Sequence, residues 1–184
     1  MQTPKRLLFA LLALLLAAGC TQRDATPTDT GISPNASILD EISQAKSWFH
    51  AKRVKPIWAK PVDKDQTVKT IEGAEQVKAG DFLCRGDADE VWPQAAARLQ
   101  ARYQKSDEVD KDGWCKYTPR ADNQGVMAAQ VPHAFVVQGK SGQLSGKAGD
   151  YIVKDFADRD TPYPSDVWIV DQKLFHATYQ AVRN

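Results

Sequence analysis

The side chains able to do acid–base or metal chemistry in this chain are few and dispersed. The three histidines, His50, His133 and His176, are never three or four positions apart, and no HExxH pattern occurs, so no helix-borne metal site is predicted. The segment Glu108-Val109-Asp110-Lys111-Asp112-Gly113 alternates oxygen ligands before a glycine as a calcium loop does. Pro119, however, stands where the closing bidentate carboxylate belongs, and Lys111 adds positive charge, so a solvated connector is expected. Ser141 and Ser145 lie in Gly139-Lys140-Ser141-Gly142-Gln143-Leu144-Ser145-Gly146. That run lacks the G-x-S-x-G elbow, and Ala134 occupies the place of the first phosphate-loop glycine, so it reads as a hairpin turn. A hydrolase would need a carboxylate pair drawn from Asp81, Asp150, Asp87 or Glu90, and glycosidase-type chemistry would follow if Asp81 and Asp150 met at about 5 to 9 Å at a module interface. Asp81 and Asp150 each follow a glycine in a turn-forming context, which favours backbone hydrogen bonding over catalysis. The expectation is therefore no catalytic set, no metal and no cofactor.

The first twenty residues place the protein more firmly than any of these groups. Lys5 and Arg6 precede an apolar run from Leu7 to Leu16, and Ala17-Ala18-Gly19-Cys20 follows. The run is shorter than the ~20 residues a bilayer span needs, and small residues mark a cleavage site, so residues 1–19 read as a signal peptide. Cleavage before Cys20 would expose a thiol that resembles the acylated cysteine of bacterial lipoproteins. By that resemblance, Thr21 in place of an aspartate implies the outer membrane, with the lipid as the membrane partner; the periplasmic face is expected, the external face being the alternative. Loss of Lys5 and Arg6 from 24 basic side chains, against 23 acidic ones, leaves the remainder within about one charge of neutral. Such a balance argues against nucleic acid as a partner.

Cys84 and Cys115, an even pair in an oxidising compartment, are expected to form one disulfide. Residues 20–34, poor in apolar side chains, read as a flexible tether. A helix capped by Ser37 with Asp40 is expected over 35–53, with Ile38, Leu39, Ile42, Ala45, Trp48 and Phe49 on one stripe packed against the domain. Trp114, beside Cys115 in the connector, is the aromatic that offers a binding anchor.

The remaining sequence is duplicated. Lys78-Ala79-Gly80-Asp81-Phe82 recurs as Lys147-Ala148-Gly149-Asp150-Tyr151, a shift of 69, and the same shift aligns Ala59 with Ala128, Val62 with Val131 and Gly73 with Gly142. With small insertions, Trp92-Pro93 aligns with Tyr163-Pro164, Leu99 with Phe175 and Tyr103 with Tyr179. Two modules are thus predicted, 54–106 and 124–184, joined by a connector over 107–123. In each, an extended start and a second strand ending at a glycine, Thr67 to Gly73 or Phe135 to Gly142, lead through an Ala-Gly-Asp turn into a third strand. Gly80 and Gly149 are suited to positive φ there, with Asp81 and Asp150 bonding to backbone amides. Pro93 is expected to start a helix in the first copy, whereas Val167 to Val170 suggests a more extended segment in the second.

The Ala148-Gly149-Asp150-Tyr151 turn, the aromatic-Pro pair and Phe175-His176-Ala177-Thr178-Tyr179 together resemble the small bacterial and phage modules named for a PGDYG motif. The second copy matches better, with Ala148 for the proline and Ile152 for the final glycine. The resemblance implies a coherent module and no catalytic residue.

The fold expected is α+β, with short antiparallel strands in two repeated modules sharing a core behind an N-terminal helix. The function expected is a non-catalytic envelope lipoprotein binding a protein or glycan, an immunity or inhibitor protein being one concrete version. The alternatives are a peptidoglycan hydrolase and a purely structural envelope protein.

Overall fold

A computed structural model describes residues 33–183, so the signal peptide, Cys20 and most of the tether lie outside the described residues. The fold is α+β, as the sequence leads one to expect. The helix α1 (Ala36–Gln44) leads into strands β1 (Phe49–Arg53) and β2 (Ile57–Pro61), and then the hairpin β3 (Gln66–Lys69) and β4 (Ala74–Val77). Strands β5 (Phe82–Arg85) and β6 (Val91–Gln94), helix α2 (Ala96–Arg102), and the hairpin β7 (Tyr103–Val109) and β8 (Cys115–Pro119) complete the first half. The second half runs β9 (Val126–Gln130), the hairpin β10 (Phe135–Gly139) and β11 (Gly142–Gly146), β12 (Tyr151–Asp155), β13 (Trp168–Val170), α3 (Gln172–Thr178) and β14 (Tyr179–Ala181).

Two five-stranded antiparallel sheets result, ordered β6-β5-β2-β8-β7 and β13-β12-β9-β1-β14. They correspond strand for strand. Ala59 faces Cys84 as Ala128 faces Val153, each pair related by the 69-residue shift. One place breaks chain order. Beside β7 lies β8, which follows it in a hairpin, but beside β14 lies β1, from the far end of the described chain. The second module is thus closed by a strand that precedes the first.

The helix expected over 35–53 stops at Gln44, and Phe49–Arg53 is the strand β1. The stop is a Schellman arrangement: Ser47 N–H donates to Ile42 O (3.1 Å) and Lys46 N–H to Ser43 O (3.1 Å), with Lys46 at φ 51°. Asn35, not Ser37, is the residue at the helix start, and its amide pairs with Gln138 instead of capping, donating to the carbonyl (2.9 Å) and accepting from the amide (2.7 Å). Ile38, Leu39 and Ile42 are buried with Val131, Val137, Leu144 and Ile152, so α1 covers one face of the second module. Each such aliphatic side chain withdrawn from water contributes about 1.5–3 kcal/mol. Tyr151, Val153 and Phe175 fill the other face, while Ile57, Ala59, Cys84, Leu99 and Tyr117 form the core of the first module.

Several finer expectations are corrected. Each "second strand ending at a glycine" is a hairpin, β3–β4 or β10–β11. Residues 107–123 are not a free connector, because β7 runs to Val109 and β8 occupies 115–119 within the first sheet. Pro93 sits in β6, and both copies use the same short strand and seven-residue helix. Trp92 is the counterpart of Trp168, not Tyr163, since Cys84 faces Trp92 as Val153 faces Trp168. The insertion falls before β13, in the segment holding the 3₁₀ turn Phe156–Asp158.

The expected disulfide is also overturned. Cys84 and Cys115 are free thiols, and both face Ala59 from opposite sides, on β5 and β8. Two strand spacings separate them, about 9–10 Å, beyond the ~7 Å Cα limit for a bridge. Cys84 is fully buried, which pushes its thiol pKa up and leaves it unreactive.

The two hairpins meet at a local twofold axis. Gln76 N–H donates to Ser141 O (2.8 Å) and Ser145 N–H donates to Glu72 O (2.8 Å), and each residue maps onto its counterpart by the 69-residue shift. Glycine is required at the crossing. A Cβ on Gly142 would lie 2.5 Å from Ala74 O, and one on Gly73 would lie 2.7 Å from Gln143 O.

Candidate inter-module cleft

Near that axis lies a cleft of about 120 Å³, walled by β6, α2, β13 and the two hairpins. Its lining comes in twofold-related pairs. Some pairs match, namely Val91 with Val167, Trp92 with Trp168, Tyr103 with Tyr179 and, in charge, Glu90 with Asp166. Others do not: Glu72 is matched by Ser141, Glu75 by Leu144, Gln94 by Val170, Arg98 by Leu174 and Ile71 by Lys140. The conserved geometry of the scaffold explains the first set by packing. In four of these five pairs the more polar member belongs to the first module, and in the fifth it is Lys140 of the second.

The charges are arranged around the two tryptophans. Arg98 and Arg102 lie over the Trp168 ring at 5.2 and 5.1 Å, within cation–π range. Arg98 reaches Asp166 at 2.6 Å and Asp155 at 3.1 Å, and Arg102 also pairs with Asp155. Asp166 in addition accepts the Lys140 backbone N–H (3.0 Å), which ties the β10–β11 turn to this network. Arg53, carried by the closing strand β1, lies over Trp92 at 5.0 Å and Tyr179 at 5.7 Å. Its Nη2 is 3.5 Å from Glu90 Oε1, too long for a good hydrogen bond, and Glu90 Oε2 accepts the Ala88 N–H (3.1 Å).

Two carboxylates in the cleft hold protons more tightly than usual. Burial, reinforced by Glu72 and Asp166, pushes Glu75 up to about 7, and burial also raises Glu72. A raised folded-state pKa means that the native form binds more protons than the unfolded form between about pH 4.5 and 7. Stability therefore falls as pH rises through that window. Because Glu75 is only partly buried, solvent screening limits its contribution to about 1–2 kcal/mol. The variant Glu75→Gln should match wild type in urea unfolding at pH 5 and exceed it at pH 8; equal free energies at both values would contradict the assignment.

The residues singled out in the sequence fall mostly elsewhere. Gly80 and Gly149 adopt φ of 90° and 93°, as expected. Asp81 Oδ1 accepts the Ala96 N–H (3.1 Å) and Asp150 Oδ1 the Gln172 N–H (3.0 Å), so each aspartate ties its turn to the first residue of a helix. Neither lines the cleft, and Asp87 is exposed; of the four carboxylates considered, only Glu90 is there. Trp114 is half-buried beneath the Arg85 guanidinium (4.9 Å), and its backbone N–H donates to Asp110 (2.9 Å), which organises the β7–β8 turn. His50 bonds to Gln124 O (2.6 Å), His133 to Glu41 (2.8 Å), and His176 lies 3.4 Å from the Tyr151 hydroxyl. Among the described residues no three metal-ligating side chains converge.

No family model, curated protein or solved structure matches the chain.

Arg53, Gln94, Arg98, Arg102 and Glu75 are the functional candidates that motif reading misses. A signal for two of them was present. Aligning Leu99 with Phe175 places Arg98 against Leu174 and Arg102 against Thr178, a loss of symmetry at positions where a purely structural repeat has no need of charge. A second, wider depression of about 560 Å³ between α1 and the Ala148-Gly149 turn holds none of the unpartnered buried polar atoms, which makes the cleft the stronger site.

Proposed function

We propose that the protein is a non-catalytic cell-envelope lipoprotein, acylated at Cys20 and facing the periplasm from the outer membrane, which binds a protein or envelope component through the inter-module cleft. The resemblance to the PGDYG-motif modules is part of this proposal. One observation carries the reading: a duplicated scaffold keeps its aromatic lining in matched pairs but differs in polarity at five of its paired lining positions. A ligand without twofold symmetry accounts for that pattern, whereas a spacer between membrane and periplasm does not.

The test has two parts. Replacement of Cys20 with alanine should move the protein from the membrane to the soluble fraction, and crosslinking of the lipidated form in its native envelope should give a stoichiometric adduct at the cleft. Retention in the membrane would remove the lipoprotein reading, and crosslinking only to abundant envelope proteins would remove the binding one. A second reading, envelope-polymer hydrolysis, is favoured by a carboxyl group held near neutrality, Glu75, next to Glu72 and Asp166. Glycan-hydrolysing activity lost in Glu75→Gln would establish it in place of binding.

A further inference from the structure

We propose that the cleft receives the carboxylate group of a small ligand on the Nε–Nη2 edge of Arg53; this rests on the reading of the cleft as a binding site. Three buried side-chain polar atoms have no hydrogen-bond partner among the described residues: Arg53 Nε, Arg53 Nη2 and Gln94 Nε2. All three are donors, and both residues line the cleft. Buried donors are normally satisfied, because leaving one unpaired costs the full desolvation of the group. Here the deficit is entirely on the donor side, so the missing partner supplies acceptors.

The geometry narrows the partner further. The Arg53 side chain is 9% exposed, so its charge is not dispersed into bulk water. Trp92 and Tyr179 lie against the guanidinium group, and its Nε–Nη2 edge is buried without a hydrogen bond. Nε and Nη2 share that edge and match the two oxygens of a carboxylate in a bidentate pair. Glu90 Oε1 lies 3.5 Å from Nη2 and offsets the charge without hydrogen-bonding to it. A dianionic phosphate fits less well, because Glu72, Glu75, Glu90 and Asp166 line the same space and repel a second negative charge. The cleft, about 120 Å³, admits a small acid or the end of a peptide.

A free acid and a peptide C-terminus present the same group, so the probes separate them. Sodium propionate and alanyl-alanine would be titrated into the full-length protein, with propionamide, alanyl-alanine amide and inorganic phosphate as comparators. Tryptophan fluorescence and the Arg53 Nε–H resonance would be followed. Saturable binding of propionate assigns a free acid, and binding of the dipeptide but not its amide assigns a chain end; either outcome supports the proposal. Arg53→Lys, which keeps the charge but loses the fork, should weaken binding at least tenfold, and Gln94→Leu should weaken it less. Equal responses to acids and amides in the unaltered protein, no response to any acid, or unchanged binding in Arg53→Lys would overturn the carboxylate assignment. If the cleft still crosslinked to a partner in the envelope, the binding reading would survive that result.

Discussion

Gly142→Val is expected to lower the melting temperature by about 10 °C, a loss of roughly 3 kcal/mol for a chain of this size. The first added carbon would lie 2.5 Å from Ala74 O, at a crossing where backbone meets backbone and no flexible side chain can yield. Relief of that overlap requires the hairpins to part, and an overpacked contact of this kind typically costs 1–3 kcal/mol. Parting them also weakens the reciprocal bonds Gln76–Ser141 and Ser145–Glu72, each worth about 1 kcal/mol. Gly80→Ala supplies the comparison. That residue has positive φ (90°) with nothing within 4 Å of an added Cβ, so only backbone strain, about 1 kcal/mol, is incurred. Differential scanning calorimetry of the two variants separates the effects; a Gly142→Val protein melting within 2 °C of wild type would remove the hairpin crossing as the joint between modules.

Ala51→Asp should be at least as damaging, and its effect should be local to one module. Ala51 is fully buried in β1, facing Val126 on one side and Ala181 on the other. An unpaired carboxylate there costs several kcal/mol of desolvation. Since β1 is the strand that joins β9 to β14, hydrogen exchange should rise first across 126–128 and 179–181, with 82–85 in the other sheet retaining protection longer. Simultaneous loss of protection in both sheets would show that the second module does not depend on its closing strand in this way.

The duplication was legible because its signals are local: Gly80 and Gly149 need positive φ, and the strands that follow keep one register over a shift of 69 residues. Closure by β1 was not legible. Phe49-His50-Ala51-Lys52-Arg53 and Cys115-Lys116-Tyr117-Thr118-Pro119 occupy equivalent places yet share no residue, and backbone pairing alone defines their equivalence. The end of α1 was hidden for a similar reason, since Lys46 takes the left-handed position that glycine would have announced. The local string pairs Trp92-Pro93 with Tyr163-Pro164, although the insertion preceding Trp168 displaces the true counterpart. Arg53 could not be found as a site residue from sequence. It reaches the cleft only because β1 crosses to the second sheet, which is a tertiary fact.

The most direct test of the central claim places a photocrosslinking amino acid at Ile71, exposed at the cleft, and separately at Val109, equally exposed but away from it. In lipidated protein irradiated in its native envelope, Ile71 should yield one discrete adduct, absent from the Val109 protein. No discrete adduct from Ile71, or the same products from both positions, would contradict the assignment of the cleft as the binding site for a protein or other envelope macromolecule.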